Sequence, residues 1–355
     1  MRRFFHGPRV LIALLLLLGA CVPRVEGAGP PRIVPALDDG AIVAADGARL
    51  PLRVWRAVGE TRAVIVALHG FNDYGAAFEQ PARDWAKRGI ATYAYDQRGF
   101  GATATRGIWP GTEALVSDLG EALRLVRAAN PGVPLVVVGE SMGGAVAMVY
   151  AARASAPPID GLVLAAPAVW GWRSMNPFYR ASLWLGAHVT PWAHVTGRGL
   201  GIKPSDNRAM LIALGKDPLI IKETRIDAVY GLVDLMSAAF DAADRIAVPT
   251  LVLYGENDQL VPKGPTFAML ARLKAPRRVA IYPGGYHMLL RDLDAAVVRA
   301  DVAAWVLDPG RPLPSGLERK NVAATGFDRP ARCGKSLELD AFGRRFPLPS
   351  REGKS

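Results

Sequence analysis

Ser141 stands in Gly139-Glu140-Ser141-Met142-Gly143, a G-x-S-x-G pattern. A serine on a sharp turn between a strand and a helix has its hydroxyl pushed clear of the sheet. Glycines flank it where a Cβ would collide with the turn. Both elements are legible: residues 135–138 are apolar and β-branched, as in a buried parallel strand, and 145–152 read as a helix of small and apolar residues. A helix start beside the serine offers unpaired N–H groups and a partial positive charge, which suit a developing oxyanion. Five residues of so loose a pattern also match by chance. A nucleophile therefore needs a base, an orienting acid and a second oxyanion donor from elsewhere in the chain.

Five histidines are available as the base that takes the serine's proton. His6 lies in the N-terminal leader, His69 ends a strand ahead of the serine, and His188 and His194 fall in a long interruption of the strand–helix rhythm. His287 follows the last strand, in the glycine-permissive loop Gly284-Gly285-Tyr286-His287. The acid is sought on an earlier loop at the same sheet edge. Asp258 follows the strand at 250–254, with Glu256 as its neighbour and competitor. Asp96 also ends a strand but precedes the serine, and is read as tying the Arg98-Gly99 turn. One oxyanion donor is expected from the backbone N–H of Met142, the other from Phe71, in the loop His69-Gly70-Phe71-Asn72. Ser141, Asp258 and His287 would all follow the C-terminal ends of strands, where open α/β sheets bind ligands.

The elements that position these residues alternate. Residues 41–45 and 50–55 read as a hairpin turned at Asp46-Gly47. Strands follow at 63–68, 90–95, 135–138, 162–165, 250–254 and 278–282, with helices near 76–87, 113–129, 145–152, 265–273 and 293–306. This rhythm implies a mostly parallel sheet with helices on both faces. Residues 171–246 break it with a helical, aromatic-rich stretch that includes Trp172, Phe178, Tyr179, Trp184 and Trp192, placed to roof the site. Gly99-Phe-Gly101-Ala-Thr-Ala104 fits a dinucleotide fingerprint by letters only. Pro110 and Gly111 follow where a helix should open at once, so no nucleotide cofactor is indicated.

Taken together, His69-Gly70, Asp96-x-Arg98-Gly99-x-Gly101, Gly139-x-Ser141-Met142-Gly143-Gly144, Pro249 to Pro262 with Gly255 and Asp258, and His287 resemble the monoacylglycerol lipase and lysophospholipase branch of the α/β-hydrolases, the serine aminopeptidase S33 type. The resemblance covers about residues 40–307. It implies the chain order serine, acid, histidine, which only His287 can complete. It carries the triad onto Ser141, Asp258 and His287 and the oxyanion donors onto Phe71 and Met142. Two departures bear on the substrate. Glu140 replaces the histidine or lysine often found before the serine, and Asn72-Asp73 replaces a small or charged run. The expected activity is hydrolysis of a carboxylic ester with a lipid-like acyl chain, such as a small amphiphilic monoacylglycerol or lysophospholipid. A peptidase or amidase of the same fold, or a non-catalytic binding lipoprotein, are the alternatives.

The two ends of the chain read differently. Arg2, Arg3 and Arg9 precede a nine-residue apolar run, 10–18, which ends in Leu18-Gly19-Ala20-Cys21. That resembles a bacterial lipoprotein signal, which implies residues 1–20 as signal peptide and lipidation at Cys21. The expected location is the cell envelope, at the periplasmic face of the outer membrane, with acyl chains as the anchor. Residues 21–38 read as a tether, 39–170 and 247–308 as the two parts of the hydrolase core, 171–246 as a helical cap, and 309–355 as a basic, Pro- and Gly-rich, disordered tail. The net charge is +11. Residues 1–24 hold four arginines and no acid, and 309–355 hold ten Lys/Arg against five Asp/Glu, leaving only +2 for the body. A body so nearly neutral does not suggest a nucleic-acid surface. Cys21 and Cys333 form no C-x-x-C pair and H-E-x-x-H is absent from the sequence, so no metal site is indicated.

Overall fold

The computed structural model describes residues 22–199 and 201–319. Its strands are β1 (Ala36–Asp38), β2 (Ala41–Val43), β3 (Arg49–Trp55), β4 (Ala63–Leu68), β5 (Ile90–Tyr95), β6 (Leu135–Glu140), β7 (Gly161–Ala165), β8 (His194–Val195), β9 (Thr224–Arg225), β10 (Thr250–Gly255) and β11 (Arg277–Tyr282). Nine of them join one sheet in the order β1-β2-β3-β5-β4-β6-β7-β10-β11, while β8 and β9 pair separately. From β5 to β11 all neighbours are parallel; β1, β2 and β3 add an antiparallel margin.

The central strands are buried on both sides, which explains their unbroken apolar runs. In β4, Val64, Val66 and Leu68 enter one core and Ala63, Ile65 and Ala67 the other, as a two-residue period requires. The first core is closed by α2 (Thr112–Ala129), α3 (Met142–Ala151), α6 (Ile226–Ala242) and α7 (Lys263–Arg272). The second is closed by α1 (Glu79–Ala86) and α8 (Ala295–Leu307), through Trp85, Val298 and Trp305. Between β7 and β10 the chain also forms α4 (Pro177–Val189) and α5 (Arg208–Lys216). The Asn176 and Asn207 side chains cap α4 and α5, accepting from Tyr179 N and Met210 N.

Four details differ from the sequence expectations. The helix expected at 145 begins at Met142, directly after the serine. The segment 24–38 is not a free tether. Glu26 N donates to Trp109 O, Arg32 N and Ile33 N both donate to Ala45 O, Arg24 N donates to Asp227, and β1 pairs with β2. Its backbone groups thus find partners on the body, which outweighs what its Pro and Gly content suggests. Of the tail expected to be disordered, residues 309–319 pack along β11. Ile281 N donates to Leu317 O and Arg319 N to Val279 O, Leu313 is buried, and Arg278 pairs with Glu318. The strand's open edge thereby gains a partner. Lastly, Asp96 spans the Arg98-Gly99 turn by accepting from Ala102 N (2.9 Å), but it also reaches distant partners, accepting from Arg53 Nη1 (2.7 Å) and Gly75 N (3.0 Å), and it does not receive the Arg98 side chain. Cys21, Cys333, residues 1–20 and residues 320–355 lie outside the described residues.

Arg98 instead donates to Asp46 Oδ2 (2.8 Å) through Nη1 and to Asp118 through Nε (2.9 Å) and Nη2 (2.8 Å), with all three side chains at most 10 % exposed. It joins the β2–β3 hairpin turn to α2. Replacing Arg98 with Met strands two buried carboxylates. The expected cost is about 3–5 kcal/mol, read as a lower urea midpoint at unchanged slope.

Candidate active site

Ser141 is the pivot between β6 and α3. Its backbone sits at φ 53°, ψ −114°, an unfavourable conformation for a residue with a Cβ. Ser141 N donates to Ala165 O (2.9 Å), and Ser141 O accepts from Ala145 N (3.1 Å) and Ala168 N (3.0 Å). The flanking glycines permit the close approach. A Cβ on Gly143 would lie 2.2 Å from the Leu68 carbonyl oxygen, and one on Gly139 would lie 2.6 Å from Gly143. Helix α3 therefore rests on the C-terminal end of β4, where the His69-Gly70-Phe71-Asn72 loop begins.

His287 Nδ1 lies 2.8 Å from Asp258 Oδ2. The other carboxylate oxygen, Oδ1, accepts from Leu260 N (2.8 Å) and Val261 N (3.0 Å), and the Asp258 side chain is fully buried. An acceptor at Nδ1 holds the ring as the Nδ1–H tautomer and leaves Nε2 free to take a proton. Glu256, the alternative acid, is not the partner of the ring; its backbone N–H donates to Tyr282 O. The loops carrying acid and base press together, since a Cβ on Gly255 would lie 2.4 Å from Tyr286 O. Asp292 braces the same loop by accepting from Tyr286 N (2.7 Å) and from Ser205 Oγ (2.6 Å), in the connection between α4 and α5. Burial pushes the Asp292 carboxyl up to about 6. Met288 N donates to Pro204 O (3.0 Å) and Asn207 Nδ2 to Arg291 O (2.9 Å), so that connection holds the histidine loop at several points.

Ser141, His287 and Phe71 line one cavity of 480 Å³. Its walls include Trp170, Met175, Leu183, Leu214, Leu232 and Met236. Met142 is the first residue of α3, where an N–H has no partner within its own helix, while its side chain is buried in the core. Gly70 packs against the serine: a Cβ on it would lie 3.5 Å from Ser141 Cβ. The structure thus gathers Ser141, His287 and Phe71 around one space, with Asp258 behind the histidine and Met142 behind the serine. Cys21 falls outside the described residues. Among the described residues, no group of His, Cys, Asp or Glu side chains could hold a metal ion.

Three charged residues in this cavity were not assigned roles from sequence. Arg291 Nη2 donates to both Asp73 Oδ2 (2.7 Å) and Glu140 Oε2 (3.0 Å). Glu140 and Asp73 had been singled out only as departures in the resemblance. A carboxylate ending an otherwise apolar buried strand was the available signal.

Residues 59–294 match the model of the serine aminopeptidase S33 hydrolases, and the chain belongs to that family. Its fold is the α/β-hydrolase fold, with a mostly parallel sheet and a helical insertion. Among its relatives, a monoacylglycerol lipase of Mycolicibacterium smegmatis is 25 % identical over 74 % of this chain and 94 % of its own length. The human monoglyceride lipase is 26 % identical over 78 % of this chain and 92 % of its own. In fold, the chain is similar to a soluble variant of the Saccharomyces cerevisiae monoglyceride lipase solved with a substrate analogue, at TM-score 0.65 and 21 % identity, covering 81 % and 98 % of the two chains.

His69 is positioned to shape the loop rather than to move protons. Gln97 N donates to its Nε2 (2.9 Å), which leaves Nδ1–H to donate to Gly70 O (2.8 Å). Burial holds its pKa below the usual histidine value. An unfolded chain would protonate this ring near pH 6.5 while the folded one does not, so its contribution to stability is lost as pH falls below that point. Side-chain ¹⁵N NMR just below pH 6.5 is expected to find His69 mostly neutral, with the proton on Nδ1. A doubly protonated ring there would contradict the assignment.

Proposed function

We propose that this chain is a serine hydrolase that cleaves carboxylic esters of monoacylglycerol or lysophospholipid type through an acyl-enzyme. The observation that carries the reading is the 2.8 Å contact of His287 with Asp258, in a loop that shares a cavity with a strained Ser141. His287 Nε2 takes the proton from Ser141 Oγ as that oxygen attacks the ester carbonyl. Asp258 stabilises the imidazolium that results. The backbone N–H groups of Phe71 and Met142 receive the negative charge that builds on the carbonyl oxygen. His287 then returns its proton to the leaving alcohol, and water clears the acyl group by the same route in reverse. The apolar lining of the cavity suits an acyl chain, and the lipases among the relatives favour an ester over a peptide.

The same reading includes anchoring by lipidation at Cys21, with the catalytic body held at a membrane of the cell envelope. Helix α4 and the chain after it expose Phe178, Tyr179, Trp184, Leu185 and Trp192, which suits work beside a lipid surface. Residues 166–205 also hold Arg173, Arg180, Arg198 and Lys203 but no Asp or Glu, which suits anionic head groups. Among the described residues, no helix is long and apolar enough to cross a membrane.

A fluorophosphonate probe is expected to label the wild type and not Ser141→Ala; equal labelling of both would sink the proposal. Asp258→Asn should keep the ring in place but favour the wrong tautomer, lowering kcat by about 10⁴. For the anchor, metabolic incorporation of a fatty-acid analogue is expected in the wild type and should vanish in Cys21→Ser.

A further inference from the structure

The catalytic cavity is apolar except for one corner. There Arg291 bridges Asp73 and Glu140, beside the nucleophile. The Glu140 side chain is 3 % exposed, that of Asp73 7 % and that of Arg291 10 %. One guanidinium between two carboxylates carries a net charge of one unit negative. Among the described residues, Glu140 Oε1 and Arg291 Nε are buried within the cluster without a hydrogen-bond partner. What the corner presents to a ligand is its net charge, in a poorly hydrated wall of the cavity.

We propose that Glu140, held by Arg291 with Asp73, is a specificity-determining residue that reads the charge of the substrate's alcohol part. It admits an uncharged polyol and rejects a phosphate. The inference rests on the ester-hydrolase reading above and narrows it. A carboxylate oxygen only accepts, so its partner must donate, and a guanidinium N–H only donates, so its partner must accept. A polyol hydroxyl both donates and accepts and brings no charge to the corner. A phosphate group brings only acceptors and further negative charge to a corner that is already net negative and poorly hydrated, where like charges repel strongly. Its one attractive partner, Arg291, is already shared between two carboxylates.

The test compares three laurate esters, each below its micelle concentration: 1-monolauroylglycerol, its 3-phosphate, and p-nitrophenyl laurate, which has no polyol. The wild type should favour the glycerol ester over its phosphate in kcat/KM. In Glu140→Gln the preference should fall by about tenfold or more, because one of the two like charges that repel the phosphate is removed. The change should appear mainly in KM for the phosphate ester. Asp73→Asn, which leaves Glu140 in place but removes the same unit of charge, should relax the discrimination against phosphate in the same direction. A purely structural role would lower all three esters together and leave the ratios unchanged. Ratios within twofold of wild type in both variants overturn the proposal. So does a wild type that cleaves all three esters without preference. A wild type that cleaves none removes the hydrolase reading, and this inference with it.

Discussion

The contact between α3 and the end of β4 sets the geometry of everything around it. Gly143 lies so near the Leu68 carbonyl that no side chain fits between them, and Gly139 closes on Gly143 in the same way. Two adjacent strands and the helix above them meet within van der Waals distance at one point. The chain can pass from β6 into α3 there only by turning sharply, and Ser141 takes up the turn at positive φ. Such a conformation costs on the order of 1–3 kcal/mol and persists only when its surroundings overdetermine it. Here three backbone hydrogen bonds at Ser141 do so. The same contact fixes the start of the loop at His69, so the Ser141 hydroxyl and the Phe71 loop share one reference point.

The second constraint concerns the loop that carries His287. It follows the last parallel strand and would be free to move if only the sheet held it. Gly255 allows the Asp258 loop to lie directly against Gly285 and Tyr286, and Pro204, Ser205 and Asn207 secure the loop from the insertion's side, Ser205 through Asp292. The insertion therefore does more than wall the cavity with apolar side chains. Its connection between α4 and α5 shares hydrogen bonds with the loop that carries the imidazole. A rearrangement of that connection would be felt at His287 through these bonds, not through the sheet.

Buried charge is used in two places, with opposite consequences. Around Arg98, each carboxylate is bonded several times over, and the cluster joins the hairpin turn to α2. Around Arg291, two polar atoms are left without a hydrogen bond among the described residues, and the three side chains line the cavity. A fully satisfied network rigidifies; one that borders a cavity with a net charge acts on whatever enters it. That difference separates a structural ion cluster from one suited to a ligand, although the two look alike as lists of acids and arginines.

Much of the architecture was legible because parallel strands buried on both faces leave an unmistakable trace. Runs such as 63–68 and 250–254 read as strands at once, and turns such as Asp46-Gly47 punctuate them. The residues Ser141, Asp258, His287, Phe71 and Met142 could be named because each stands next to a strand end, and strand ends are local features. What depends on partners distant in sequence was not legible. The Pro- and Gly-rich segment 24–38 found acceptors on the body, residues 309–319 found an open sheet edge, and Asp96 found Arg53 and Gly75 besides the turn it spans. Nor could the chain alone reveal that Arg291 reaches across 151 positions to Glu140 and 218 to Asp73. Local spacing determines periodicity, turns and the exposure of a strand end; the partners of a charge or an unpaired backbone group are settled only when the sheet is assembled and the neighbours are known.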